Sequence, residues 1–160
     1  MALAEQQLML AVIRQHRWAA LATEGSEGAE ASWVAYVAEP DLSGLLLHLS
    51  RLAAHTRNLL KAPRACLAIS EQEQAGKDPQ LLARVMIQGR VEVIPRGTED
   101  YKVSGRRYRE RLPEAEPLFG FGDFMLLRLR PVRARFVGGF ARAYTLDLER
   151  LRKAATLEST

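Results

Sequence analysis

Residues 44–59 read GLLLHLSRLAAHTRNL, and residues 60–70 continue LKAPRACLAIS. The leucine-rich run is a strand that ends at Ser50. Arg51 follows at once, and RLAAHTRNLLKA (51–62) is an amphipathic helix. Pro63 stops it, because the residue before a proline is pushed out of the helical region. RACLAIS (64–70) is the next strand. The junction is rich in hydrogen-bonding groups, and two readings are open. In one, the Ser50 hydroxyl caps the helix by accepting a bond from a free backbone N–H. In the other, the same N–H groups and the helix dipole cradle an anion. Arg51 would then add a charge-assisted contact, with Thr56 and Asn58 as neutral donors one turn further in. Taken alone, capping with a solvated basic helix explains these residues with fewer assumptions.

Upstream, apolar positions at Leu3, Leu8, Leu10, Val12 and Ile13 form one stripe, which predicts an opening helix over 2–15. HRWAALATEG is a strand that turns at Glu24–Gly28. ASWVAYVAE is a second, with Ser32, Val34 and Tyr36 on one face by period-two alternation. EPDLSG has turn chemistry, so LLLHLS is the third strand of a meander. Downstream, EQEQAGKDPQ is a polar loop. LARVMIQGRVEVIP is a long strand with Val85, Ile87, Gly89, Val91 and Val93 on one face and Met86, Gln88, Arg90, Glu92 and Ile94 on the other. RGTEDYKVSGRRYRERLPEAEP starts as a helix capped by Thr98, weakens at Gly105 and ends at Pro113. GDFMLLRLRPVRARFVGGFARAYTL closes the chain as one long strand or two shorter ones, with breaks expected at Pro131 and at Gly138–Gly139. Several short strands with few crossover helices predict a closed or partly closed antiparallel barrel rather than a doubly wound parallel sheet.

The chain has 160 residues, the size of one domain over 1–160, with its core at about 10–150. Its apolar fraction of 48% supports a packed core and argues against disorder. No run is apolar and long enough to span a membrane, and the N-terminus lacks the pattern of a signal peptide, so a cytoplasmic protein is expected. Cys66 is the single cysteine and sits in an apolar run as a small core residue. The three histidines, His16, His48 and His55, have no metal-ligand spacing, so no metal site is expected. His48 is a sheet residue. Phosphate-loop, dinucleotide-binding and nucleophile-elbow signatures are all missing. The formal net charge is +4. Arginines cluster in GRRYRER (105–111) and RLRPVRARF (128–136), which read as a helix face and the polar side of a strand. No nucleic-acid-binding signature accompanies them, so a nucleic acid partner is not expected. In RFVGGFARAY the two glycines leave room for a bulge, a corner or a close ring approach.

SRLAAHTRNLLKAPRACLAI together with RPVRARFVGGFARAYTL resembles the FMN-binding split barrels, the pyridoxamine 5′-phosphate oxidase-like superfamily. The haem-utilisation branch is the nearest in pattern. The order RWAALAT, SWVAYV, VMIQGRVEVI is similar too, so the resemblance covers about residues 10–150. It implies a homodimer of six-stranded split barrels, mainly β with helices, that holds FMN at the subunit interface. The implied activity is a flavin-dependent oxidoreductase acting on an unknown small molecule. The alternative is a non-catalytic protein of the same fold that binds haem, a tetrapyrrole or another cofactor. Carried over to this sequence, Ser50, Arg51, His55, Thr56 and Asn58 would surround the FMN phosphate and ribityl chain. Ser32, Trp33 and Val34 would line the flavin ring, partly through backbone groups. Gln88 would offer its amide, and Phe140 and Arg142 would lie near the cleft. Two departures stand out. Leu52 occupies the place where the oxidase proper has a lysine, and the chain ends soon after the barrel, where haem-degrading members are longer.

Overall fold

The computed structural model describes residues 1–139 and 142–156. The predicted order of elements is largely what the chain forms. Helix α1 (Leu3–Gln15) buries Met9, Leu10, Val12 and Ile13. Strands β1 (Trp18–Gly25) and β2 (Gly28–Ala35) make a hairpin. Gly28, at φ +138°, takes a backbone conformation that a side chain would strain. A short β3 (Val37–Ala38) leads to β4 (Leu45–Ser50), α2 (Ala54–Lys61) and β5 (Arg64–Ser70). After a 3₁₀ turn at Pro79–Leu81 come β6 (Arg84–Val93) and α3 (Glu99–Arg111). A second 3₁₀ segment (Pro113–Gly120) precedes β7 (Phe124–Val137), β8 (Ala143–Asp147) and α4 (Leu148–Thr156).

All strands pair antiparallel in one sheet of order β2-β1-β5-β6-β7-β4-β3, with β8 added to β7. The fold is thus mainly β with helices, a single-domain split barrel. Among the described residues the sheet has eight strands, the short runs β3 and β8 standing beside the six expected.

Alternation gives the sheet two faces. The inner face carries Leu21, Leu67, Ile87, Ala134, Leu45 and Leu127, all buried. It packs with residues from α1, α2 and α4 in one core. The outer face is covered at one end only. There α3 and the second 3₁₀ segment bring Tyr108, Leu112 and Ala115 onto Val37, Leu46, Ile94 and Leu126. Across β1, β2, β5 and β6 the outer face stays open, and Trp33 is 62% exposed.

Three expectations change. Pro131 does not interrupt β7. The strand runs through it because the register shifts between Gln88 and Gly89, which puts Pro131 opposite Gly89 at a bulge. A Cβ on Gly89 would lie 2.1 Å from the Arg130 carbonyl oxygen, so glycine is required there. Gly105, expected to weaken α3, leaves it helical through to Arg111. It lies against Phe119, with a Cβ position only 3.3 Å from the ring, and so permits close packing. Finally, α2 begins at Ala54 with Ala53 as its cap residue, three positions later than predicted.

Candidate functional site

The predicted site residues fall into groups on opposite faces of the sheet. At the inner side, β2 and α2 bring together Ser32 and His55, whose Oγ and Nδ1 share a hydrogen bond of 3.1 Å. Burial holds His55 below its ordinary pKa, so the ring is neutral near pH 7. Asn58, one turn further along α2, donates to Thr23 Oγ1 at 3.1 Å and to Glu30 Oε2 at 3.0 Å. Thr56 and Val34 are buried, Thr56 completely, so neither presents its side chain to solvent.

Ser50 does not cap α2, which corrects the sequence reading. Its hydroxyl accepts from the Leu52 N–H at 3.1 Å, forming a tight turn ahead of the helix. It donates to Asp123 Oδ2 at 2.6 Å. The Asp123 carbonyl accepts from the Arg51 N–H at 2.8 Å, which ties the turn to the start of β7. The Arg57 guanidinium folds back onto the Leu52 carbonyl. Leu52, in the position where a second cation was expected, is 73% exposed. At this turn the Ser50 hydroxyl and the Leu52 N–H are engaged, the former with a carboxylate, whereas the Thr56 hydroxyl has no partner among the described residues. A phosphate bound there would have to take the Ser50 hydroxyl from the Asp123 carboxylate.

Gln88 and Trp33 lie on the outer face. Arg133 donates to Gln88 Oε1 through Nε at 3.0 Å and through Nη2 at 2.6 Å. The amide NH2 of Gln88 has no hydrogen-bond partner among the described residues. Trp33 stacks on Trp18 with ring centres 6.2 Å apart and planes 11° apart. Arg142 is at the far end of the sheet, beyond the pairing of Val137 with Arg84 and Ala143. The single chain does not bring it to α2. Phe140 lies outside the described residues.

Sequence reasoning named Gln88 but missed the rest of the cleft around it. It is an open groove of about 680 Å³ on the outer face, floored by Ala22, Cys66 and Gln88 and edged by Ala29, Val132, Arg64 and Arg90. That volume lies within the usual range for small-molecule sites. Arg64 pairs with Glu24 at 2.8 Å. Arg90 has no hydrogen-bond or ion-pair partner among the described residues. Burial raises the pKa of the Cys66 thiol, which keeps it protonated. The available signal was the period-two register, which puts Ala22, Cys66 and Gln88 side by side on one face.

The arginine clusters are mostly engaged within the chain. Arg109 pairs with Glu116, Arg130 with Glu92, and Arg111 binds the carbonyls of Arg14 and Gln15. Arg128 is not on a polar strand face, as its neighbours suggested. It is 5% exposed and binds Glu39, Asp100 and Ser104. No helix is long and apolar enough to cross a membrane, and no cluster of metal-ligating side chains occurs among the described residues.

A curled antiparallel sheet with a helix bridging β4 to β5 and a cleft on the open face defines a split-barrel protein. The chain belongs to the pyridoxamine 5′-phosphate oxidase family, whose model matches residues 6–138. It is similar to the heme oxygenase HutZ of Vibrio cholerae, 30% identical over 105 residues, which are 65% of this chain and 60% of that protein. Among solved structures it resembles a heme binding protein from Mycobacterium smegmatis, with TM-score 0.81 and 28% identity over 96% of this chain and 61% of the other. The structure of HutZ, the heme storage protein from Vibrio cholerae, shares the fold with TM-score 0.68 at 24% identity, covering 82% of this chain and 91% of that one. The chain thus spans about three fifths of the curated relative and of the mycobacterial structure. The expected superfamily is borne out, and haem-utilisation proteins are among its members of similar structure.

Proposed function

We propose that this protein binds haem, or a tetrapyrrole of the same shape and charge, in the outer-face groove, and does so as a homodimer. The observation that carries the reading is the groove itself: Ala22 and Cys66 on its floor beside the Gln88 amide, with Arg90, unpaired among the described residues, at its edge. A planar ring with two carboxylates has the complementary chemistry. Ala22, Ala29 and Val132 would exclude water from the ring, and Arg90, with Arg64 shared with Glu24, would receive the carboxylates. Bound haem would supply the iron, and any oxygen chemistry would be the cofactor's. The chain contributes binding, orientation and a dry surface. The names of the relatives in Vibrio cholerae and Mycobacterium smegmatis support the same reading.

A second copy is proposed because the groove is open on one side and flanked by exposed apolar groups. Trp18, Trp33 and Val132, the last 61% exposed, lie on this one sheet face. Contiguous exposed apolar surface of this kind marks an interface. A dimer would also unite groups that a single chain leaves on opposite faces.

FMN is the second reading, with a flavin-dependent oxidation of an unknown small molecule as the activity. One observation favours it: Arg133 holds the Gln88 amide through its oxygen, leaving its NH2, without a partner among the described residues, as a donor for a flavin ring. Titrating the protein with hemin and with FMN separates the two. The proposal expects a saturable shift of the haem absorption band at micromolar hemin. Flavin fluorescence quenched at micromolar FMN, with hemin absorption unchanged, would reverse the choice.

A further inference from the structure

We infer that Glu24 sets how many carboxylates the outer groove accepts, by holding one of its two arginines and leaving the other free. The inference rests on the haem reading and adds a specificity residue to it. Arg64 on β5 and Arg90 on β6 are direct cross-strand partners, and both line the groove. Like charges set opposite each other repel, so each favours a counter-charge. Glu24 on β1 lines the same groove and supplies one. Its carboxylate accepts from Arg64 with both oxygens, from Nε at 2.8 Å and from Nη2 at 3.2 Å. That fork is the geometry an incoming carboxylate would use. Arg90 has no such partner among the described residues. Glu92, two positions along the strand, is engaged by Arg130 at 2.8 Å and Arg128 at 3.4 Å. A first ligand carboxylate therefore meets a free guanidinium, and a second meets one already paired. The Arg64–Glu24 pair is exposed, at 71% and 49% of its side chains, so its hold is modest and so is the effect expected of it.

Hemin and its monomethyl ester test this, because they share the ring and differ by one carboxylate. In titrations followed by the haem absorption band, the wild type is expected to bind the two within about twofold of each other. Glu24→Gln keeps the size of the side chain and removes its charge, which releases Arg64. It is expected to bind hemin about fivefold more tightly than the ester. Adding Arg64→Ala to Glu24→Gln should erase that preference. A wild type that already prefers hemin by about fivefold would overturn the inference. So would a folded Glu24→Gln protein without the preference, or a preference that survives Arg64→Ala. If Glu24→Gln does not fold, the wild-type ratio of hemin to ester affinity decides alone. Failure of the haem reading looks different: neither ligand then shifts its band with any of the proteins, and both the reading and the inference fall.

Discussion

The two ends of the outer sheet face carry the same kind of residue and treat it in opposite ways. At the β3-β4-β7 end, Arg128 lies beneath α3 and is bound by Glu39 at 2.9 Å and Asp100 at 2.7 Å. At the β1-β5-β6 end, Arg90 projects beside an uncovered groove with no partner among the described residues. One end is closed by the chain itself, and its charge serves the fold. The other lacks a cover, and its charge is available to a ligand. Burial with complete pairing and exposure without pairing are different physical situations, and they predict different consequences when each arginine is removed.

The largest effect is expected at the closed end. Arg128→Ala leaves Glu39 buried without its principal cation and should cost about 3–5 kcal/mol in urea unfolding. A loss below about 1 kcal/mol would mean that α3 is held by its apolar contacts alone. At the open end, Trp33→Glu should convert dimer to monomer in light scattering while the melting temperature changes little. An exposed aromatic at an interface centre commonly contributes about 2 kcal/mol or more. A monomeric wild type would contradict the proposed cover. Thr98→Ala removes the hydroxyl that accepts from the Tyr101 N–H at 3.1 Å at the start of α3, and should cost about 1 kcal/mol.

The smallest effect concerns pH. His48 stacks on Phe119 at 3.9 Å, and neither ring nitrogen has a partner among the described residues. Burial pushes its pKa down to about 4, with Arg96 and Arg109 adding to the shift. In the unfolded chain it titrates near the ordinary value of about 6.5. The unfolded state therefore binds the extra proton first. Stability is full above about pH 6.5 and falls as pH drops toward about 4. His48→Phe should flatten that slope in urea unfolding measured between pH 7 and pH 4. An unchanged slope would assign the pH dependence to other groups.

Much of the fold was legible because hydrophobic periodicity reports directly on burial. The β6 alternation separated Ile87 from Gln88 correctly, and the Thr98 cap was where its chemistry placed it. The misreadings share a cause: each residue's role is set by a partner distant in sequence. Pro131 is tolerated because Gly89, 42 positions away, opens a bulge opposite it. Gly105 packs closely on Phe119, 14 positions on. Arg128 looked like one more arginine on a polar strand until α3 brought Asp100 to it. Ser50 was recognised as a junction residue, but its partner Asp123 lies 73 positions on and left no local mark. The candidate site was legible to the same degree. Ser32, His55 and Asn58 are clustered by α2 and its neighbouring strands, whereas the groove formed by Ala22, Cys66 and Arg90 depends on pairing three strands.

The central claim is that the ligand sits in the outer groove and not at the α2 turn. Hemin titration of Arg90→Ala beside Arg51→Ala tests it most directly. The groove reading predicts about a tenfold loss of hemin affinity for Arg90→Ala, which is ~1.4 kcal/mol, and wild-type affinity for Arg51→Ala. Loss confined to Arg51→Ala, with Arg90→Ala binding as wild type, would contradict it.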